Sequence, residues 1–337
     1  MNKNKFNDKI VSLGEIMLRL TPPDYTRIEH ANSYLANYGG GEANVIVSLS
    51  HLGHNCHFIT RLPPNQLGDG AVEHLLAHGV KTDYIVRGSS IMGIYFLESG
   101  FGGRPGRVIY NRKHSAFTRI TASELDLDEI FHDATWFHIS GITLALGDKA
   151  KNVALECLKY CKKYNVKVSF DFNYRATLWS VEDARKVYPL VMPYVNVVFA
   201  SPYDFREILQ IGKDLGDDDL MRLAIKTYNL DWIFGKTRKI FSSTENAMRA
   251  YVYCANGGYY ATEEYTFQIF DRIGAGDAFA SGVIHGLISR PKDSKFAANF
   301  GIVNSILKQT IFGDVSTFGE EEILEYMETQ GKAEVKR

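Results

Sequence analysis

Asp271-Arg272-Ile273-Gly274-Ala275-Gly276-Asp277-Ala278-Phe279 is the stretch on which the reading of this chain turns. A polar turn carrying Gly274 and Gly276 opens directly into an apolar helical pattern, and Asp277 stands at the helix start. Free N–H groups at a helix N-terminus bind anions, and glycine lets a backbone approach a phosphate closely. A carboxylate at that place can take a proton from a hydroxyl beside the phosphate. The pattern suits phosphoryl transfer to an alcohol. A plain glycine turn with an Asp N-cap would use the same residues.

Outward from this stretch, strand and helix patterns alternate along nearly the whole chain. Apolar strands are expected at 10–13, 58–60, 135–139, 166–170, 195–200 and 232–234, and helices at 44–52, 71–78 and 149–164. Such alternation predicts a parallel sheet flanked by helices, with ligands outside the carboxyl ends of the strands. Asp171, Asn173 and Ser201 each follow a strand and are expected to line that crevice. Two segments break the rhythm. Residues 15–38 and 91–119 alternate with period two and contain turns, which predicts a small sheet apart from the main one.

The chain has 337 residues, is 45% hydrophobic and 23% charged, and has a formal net charge of −1. That composition fits one large α/β domain or two small ones and carries no electrostatic footprint for nucleic acid or an anionic membrane. Residues 1–10 are polar and lack the apolar core of a signal peptide, and no apolar run approaches membrane-spanning length. Cys56, Cys157, Cys161 and Cys254 form no Cys-x-x-Cys pair, so reduced thiols in a cytoplasmic protein are expected. His51, His54, Cys56 and His57 straddle a helix end at Gly53 and a strand start, so their side chains should diverge rather than gather on a metal.

Further constellations could carry chemistry. Tyr38-Gly39-Gly40-Gly41-Glu42-Ala43-Asn44 precedes a helix and could bring backbone close to a ligand, or be a simple loop. Asp171-x-Asn173-x-Arg175 follows a strand, where Asp171 and Arg175 could also just form an ion pair. In the stretch 108–116, Arg112 follows Tyr110; a solvated hairpin charge would look the same. An arginine fork suits a carboxylate because it donates two parallel hydrogen bonds. Asn304 and Lys308 stand four apart on one helical face. No Gly-x-x-x-x-Gly-Lys-Ser/Thr occurs, which excludes a P-loop kinase, and no Gly-x-Gly-x-x-Gly follows the first strand as a dinucleotide site would require.

Taken in order, these motifs resemble the ribokinase (PfkB) family of sugar kinases from Gly14 to about Met327. Arg272, where ribokinases usually carry Thr, together with Asp171-x-Asn173-x-Arg175 and the 108–116 stretch, resembles the 2-keto-3-deoxygluconate kinase branch. The resemblance implies a single ribokinase-like domain over residues 1–337, a three-layer α/β/α fold with a mainly parallel central sheet, and a small β lid inserted within 15–38 and 91–119. It implies Asp277 as catalytic base, with Gly274, Ala275 and Gly276 as the anion hole and Arg175 supporting the transferring charge. Gly40, Asn44, Tyr95, Tyr110, Arg112, Asn173 and Arg175 would bind the sugar acid. Thr237, Arg238, Gly274, Gly276, Asn304 and Lys308 would bind ATP. Asp204 would organise Mg2+ through water, although Ser201 replaces the family's usual Asn there. Lys236-Thr237-Arg238 stands where the branch carries Thr-Leu-Arg, leaving that register open. ATP, Mg2+ and a monovalent cation are the implied cofactors, a homo-oligomer the implied assembly. The implied reaction is transfer of the ATP γ-phosphoryl to the 6-hydroxyl of 2-keto-3-deoxygluconate. A fructokinase-like enzyme and a sugar- and nucleotide-binding regulator without turnover are the alternatives.

Overall fold

The computed structural model describes residues 5–329; the outermost parts of the expected 1–337 domain and of the polar 1–10 stretch lie outside the described residues. In chain order the strands are β1 (Ile10–Leu13), β2 (Met17–Thr21), β3 (Leu35–Gly39), β4 (Cys56–Leu62), β5 (Ile85–Arg87), β6 (Ile94–Glu98), β7 (Arg107–Asn111), β8 (Trp136–Ser140), β9 (Lys167–Asp171), β10 (Val197–Phe199), β11 (Trp232–Ile240), β12 (Glu245–Cys254), β13 (Tyr259–Ala261) and β14 (Tyr265–Gln268). The helices are α1 (Gly41–His51), α2 (Gln66–Ala77), α3 (Leu127–Phe131), α4 (Gly141–Ala145), α5 (Asp148–Tyr164), α6 (Val181–Val191), α7 (Asp217–Tyr228), α8 (Ala275–Ser289), α9 (Ser294–Lys308) and α10 (Glu320–Thr329).

The main sheet runs β13-β12-β11-β10-β9-β8-β1-β4-β5, with β14 beside β12. From β5 to β11 every pairing is parallel, and β12 then turns the edge antiparallel. Period-two burial builds a core on each face. Val11, Leu13, Phe137, Ile139, Val168 and Phe170 face one core, which α5, α6 and α7 cover. Ile10, Trp136, Val197 and Phe199 face the other, covered by α1, α8 and α9. Helix α5 shows the sequence logic: Ala150, Val153, Ala154, Cys157, Leu158 and Cys161 recur at helical spacing and are buried, and Asn165 ends the helix in the left-handed region. The parallel sheet flanked by helices is what the alternation predicts, and the three-layer arrangement is the ribokinase-like fold that the resemblance implies.

The second sheet, β3-β2-β6-β7, has one parallel pair, β2 with β6, between antiparallel edges. It arises from the two segments that break the alternation. A buried ion cluster fastens it to the main body. Arg19 on β2 is fully buried; its Nη2 donates to Asp271 Oδ2 at 2.6 Å and its Nη1 to Asp314 Oδ1 at 2.7 Å. A buried arginine is tolerated only when so paired.

Three expected strands differ in extent, the first being 58–60, which runs over Cys56–Leu62. The 195–200 strand is only Val197–Phe199, and the 232–234 strand continues to Ile240. The extension is polar and half-exposed, so it reads as loop in sequence; antiparallel pairing with β12 along its whole length makes it a strand. The four residues 51, 54, 56 and 57 diverge: His51 meets His78, His54 meets Asp8 and His285, Cys56 enters the core, and His57 stacks on Tyr84. Among the described residues no helix is long and apolar enough to cross a membrane.

Candidate active site

Two helix N-termini meet where the parallel strands end. Gly274 caps α8 with φ 78°, a left-handed conformation that favours glycine, and a β-carbon there would lie 1.7 Å from the Asp314 carbonyl oxygen. Gly40 precedes α1 in extended backbone; its β-carbon would lie 2.0 Å from the Glu15 carbonyl oxygen, so packing rather than torsion demands glycine there. Asn44 ties the two helices together. Its Nδ2 donates to Asp277 Oδ2 at 2.7 Å, while its Oδ1 accepts from the Gly40 N–H at 3.1 Å.

A cavity of about 600 Å³ opens between these helix ends and the lid sheet. Gly40, Asn44, Tyr95, Tyr110, Arg112, Asn173, Arg175, Arg238, Gly274, Ala275, Gly276 and Asp277 all line it. The structure therefore brings together residues from 40 to 277 that only a folded chain could gather. A second cavity of about 320 Å³ adjoins it and holds Ser201 and Asp204. Asp171, Asn173, Lys236 and Gly276 line both.

Three expected nucleotide residues lie elsewhere. Thr237 points away from the cavity, because strand alternation puts Lys236 and Arg238 on the cavity face and Thr237 on the other. Asn304 is fully buried in helix packing, where its Nδ2 donates to the Ala278 carbonyl at 2.8 Å and its Oδ1 accepts from Ser316 Oγ at 2.6 Å. Lys308 is fully buried too, its Nζ donating to the Asp271 carbonyl at 3.0 Å. The helical spacing of 304 and 308 is real, but the face they share is the core.

Burial dominates the acid–base character of the cleft. It pushes the Asp277 carboxyl up to about 7 against the opposing hydrogen bond from Asn44. It also raises Asp171 to about 6, although Lys236 and Arg175 pull the other way. Burial lowers Lys236 to about 8, with Asp171 and Asp277 opposing. Asp204 is raised by burial; its Oδ2 accepts from both the N–H and the Oγ of Ser201, each at 2.7 Å.

The cations differ in their partners. Arg112 is buried rather than solvated: its Nε donates to Glu15 Oε2 at 2.7 Å and its Nη2 meets the same oxygen. Glu15 Oε1 has no hydrogen-bond partner among the described residues. Tyr95 is buried, and its hydroxyl donates to Asp314 Oδ2. Tyr110, by contrast, is half exposed and lies beneath the Arg112 guanidinium. Arg175, Lys236 and Arg238 form no side-chain hydrogen bond or salt bridge with any described residue.

Sequence reasoning missed Lys236, Glu15 and Arg19. Lys236 was within reach, since period two through 236–238 puts it on the side of Arg238. Glu15 and Arg19 carried no local signal; their ion-pair partners lie 97 and 252 or more residues away. The arrangement is suited to an anionic ligand lying between a helix N-terminus and unpaired cations, beside a carboxylate that titrates near neutrality.

A pfkB family carbohydrate kinase profile matches residues 7–303. The 2-dehydro-3-deoxygalactonokinase of Haloferax volcanii is 32% identical over 94% of this chain and 95% of its own length. The 2-dehydro-3-deoxygluconokinase of Thermoproteus tenax is 28% identical over 90% of this chain and 89% of its own. The crystal structure of 2-dehydro-3-deoxygluconokinase from Thermotoga maritima superposes with a TM-score of 0.91 at 40% identity, covering 96% of this chain and all of that one.

Proposed function

The chain belongs to the pfkB family of ATP-dependent carbohydrate kinases, and from that premise we propose that it phosphorylates the 6-hydroxyl of 2-keto-3-deoxygluconate or of its galacto epimer. The observation that carries the acid is Arg175, an unpaired guanidinium at the sugar-side cavity, together with the names of the similar kinases. A neutral sugar gives such a cation no partner; a carboxylate does.

In this reading Asp277 is the base. It takes the proton from the acceptor hydroxyl, whose oxygen forms the new bond to the γ-phosphorus. The bond from that phosphorus to the β,γ-bridging oxygen breaks, and ADP leaves with the electron pair. The N–H groups at Gly274 to Gly276 hold the charge that builds on the transferred group, the largest contribution available to this chemistry. Asn44 fixes the Asp277 carboxylate, and Tyr110, Asn173 and the Glu15–Arg112 pair offer hydrogen bonds to sugar oxygens. The lid sheet covers the acceptor and excludes water, a competing acceptor.

The residues fit Mg2+. Asp171 and Asp204 face the smaller cavity, and magnesium characteristically takes one or two carboxylates, phosphate oxygens and waters rather than a protein cage. Among the described residues no group of three or more acid, His or Cys side chains forms such a cage. When bound, the ion would offset charge on the phosphates.

The test is a panel of purified-enzyme assays with ATP and 2-keto-3-deoxygluconate, 2-keto-3-deoxygalactonate and fructose. The acids should exceed fructose in kcat/KM by about a hundredfold or more, the scale of one charged hydrogen bond in a desolvated site. Equal or faster turnover of fructose would replace this assignment with a neutral-sugar kinase.

A further inference from the structure

Lys236 is the cationic side chain at the junction of the two cavities, beside Asp171. It lines both, as does Gly276, and its Nζ lies 3.8 Å from the position a β-carbon on Gly276 would take. That places an ammonium beside the glycine turn at the N-terminus of α8. The chain holds it there: Phe279, one turn into α8, lies 4.9 Å beneath it, and Lys236 is fixed in β11 by pairing with Ala250 of β12. Yet among the described residues it makes no hydrogen bond and no salt bridge. No acceptor of the protein meets its three donors, and an anion at the turn would.

The charged groups facing it narrow the anion. Asp171 at the end of β9 and Asp277 on α8 attract it, while Arg238 on its own strand and Arg175 from the loop after β9 repel it. The two carboxylates do not close onto it. Asp171, Lys236 and Gly276 line both the larger cavity and that of Asp204, the junction across which, in the proposed kinase, the transferring group would pass. We propose that Lys236 is a catalytic residue of this kinase, donating hydrogen bonds to the oxygens of the γ-phosphoryl group as it transfers. It forms no bond and accepts no proton; it balances charge that grows on the equatorial oxygens. The proposal rests on ATP-dependent phosphoryl transfer and not on which sugar is the acceptor.

Binding without a sugar separates the two. By calorimetry with Mg2+, Lys236→Met should weaken the non-hydrolysable ATP analogue AMPPNP by about tenfold or more, and leave ADP within about twofold. Lys236→Arg should restore most of the AMPPNP affinity. In wild type, kcat/KM for ATP with the best acceptor found should fall above about pH 8, as the free-enzyme ammonium loses its proton. That limb should vanish in Lys236→Arg, because arginine stays charged. Equal losses for AMPPNP and ADP, no loss for either, or an unmoved alkaline limb in Lys236→Arg would overturn the proposal. Should Lys236→Met fail to fold, the Lys236→Arg limb alone decides. Failure of the acceptor panel would leave all of these readings intact.

Discussion

The cleft has two walls, and they treat positive charge in opposite ways. On the lid side the arginines already own carboxylates: Arg112 at the cavity holds Glu15, and Arg19, buried behind it, spans Asp271 and Asp314. On the strand-end wall Arg175, Lys236 and Arg238 own none among the described residues. A paired buried charge is scaffold, and its removal strands the partner. An unpaired one at a cavity is held ready for a ligand. The difference teaches that charge near a cleft does not by itself mark substrate contact; the partner list does.

The largest effect should come where the two walls meet. Asp277→Asn removes the base and should lower kcat by about two to four decades. Wild-type-like kcat would break the assignment. The wild-type kcat/KM should fall as pH drops below about 7, because the base must be ionised. Stability should show the mirror image. With its native carboxyl raised above the unfolded value, Asp277 costs nothing below about pH 4, increasingly more between there and about 7, and its full amount above. Asp277→Asn should therefore melt a few degrees higher than wild type at pH 8, the gain fading toward pH 4.

Next in size is the lid anchor. Arg19→Met leaves Asp271 and Asp314 buried without their cation and should cost about 3–5 kcal/mol in a urea unfolding curve. A loss within about 0.5 kcal/mol, the scale of an ordinary surface substitution, would contradict the scaffold role.

Arg112 probes whether a paired arginine also reads substrate. Arg112→Ala uncovers the Glu15 carboxylate, which should repel a sugar acid and lower its kcat/KM by about a hundredfold, and that of a neutral sugar less. Combining it with Glu15→Gln should recover part of the loss. No recovery would mean that Arg112 touches the acid directly. The smallest change expected is Ser201→Asn. It alters the loop that holds Asp204 and should lower the magnesium concentration for half-maximal rate a few-fold; an unchanged titration would set Ser201 outside the metal's surroundings.

Much of this was legible in sequence because it is local. The helix entry at Gly274–Asp277, the parallel alternation and the period-two lid each lie within one short stretch, and period and turn residues specify them. What stayed hidden depends on distant partners. Nothing near Arg112 signals Glu15, and nothing near Arg19 signals Asp314, 295 residues on. Asn304 and Lys308 misled for the opposite reason: polar residues on one helical face suggest a site, yet here backbone carbonyls and serine hydroxyls satisfy them inside the core. At 236–238 the missing fact was that a polar run is a strand, which decides the facing of each residue.

Arg175→Met tests the contrast between the walls most directly, with kcat/KM on 2-keto-3-deoxygluconate and the melting temperature taken on the same protein. An unpaired ligand-binding cation should cost about a hundredfold or more in kcat/KM and leave the melting temperature unchanged or slightly raised. Retained kcat/KM with a lowered melting temperature would make Arg175 scaffold like Arg19 and contradict the account.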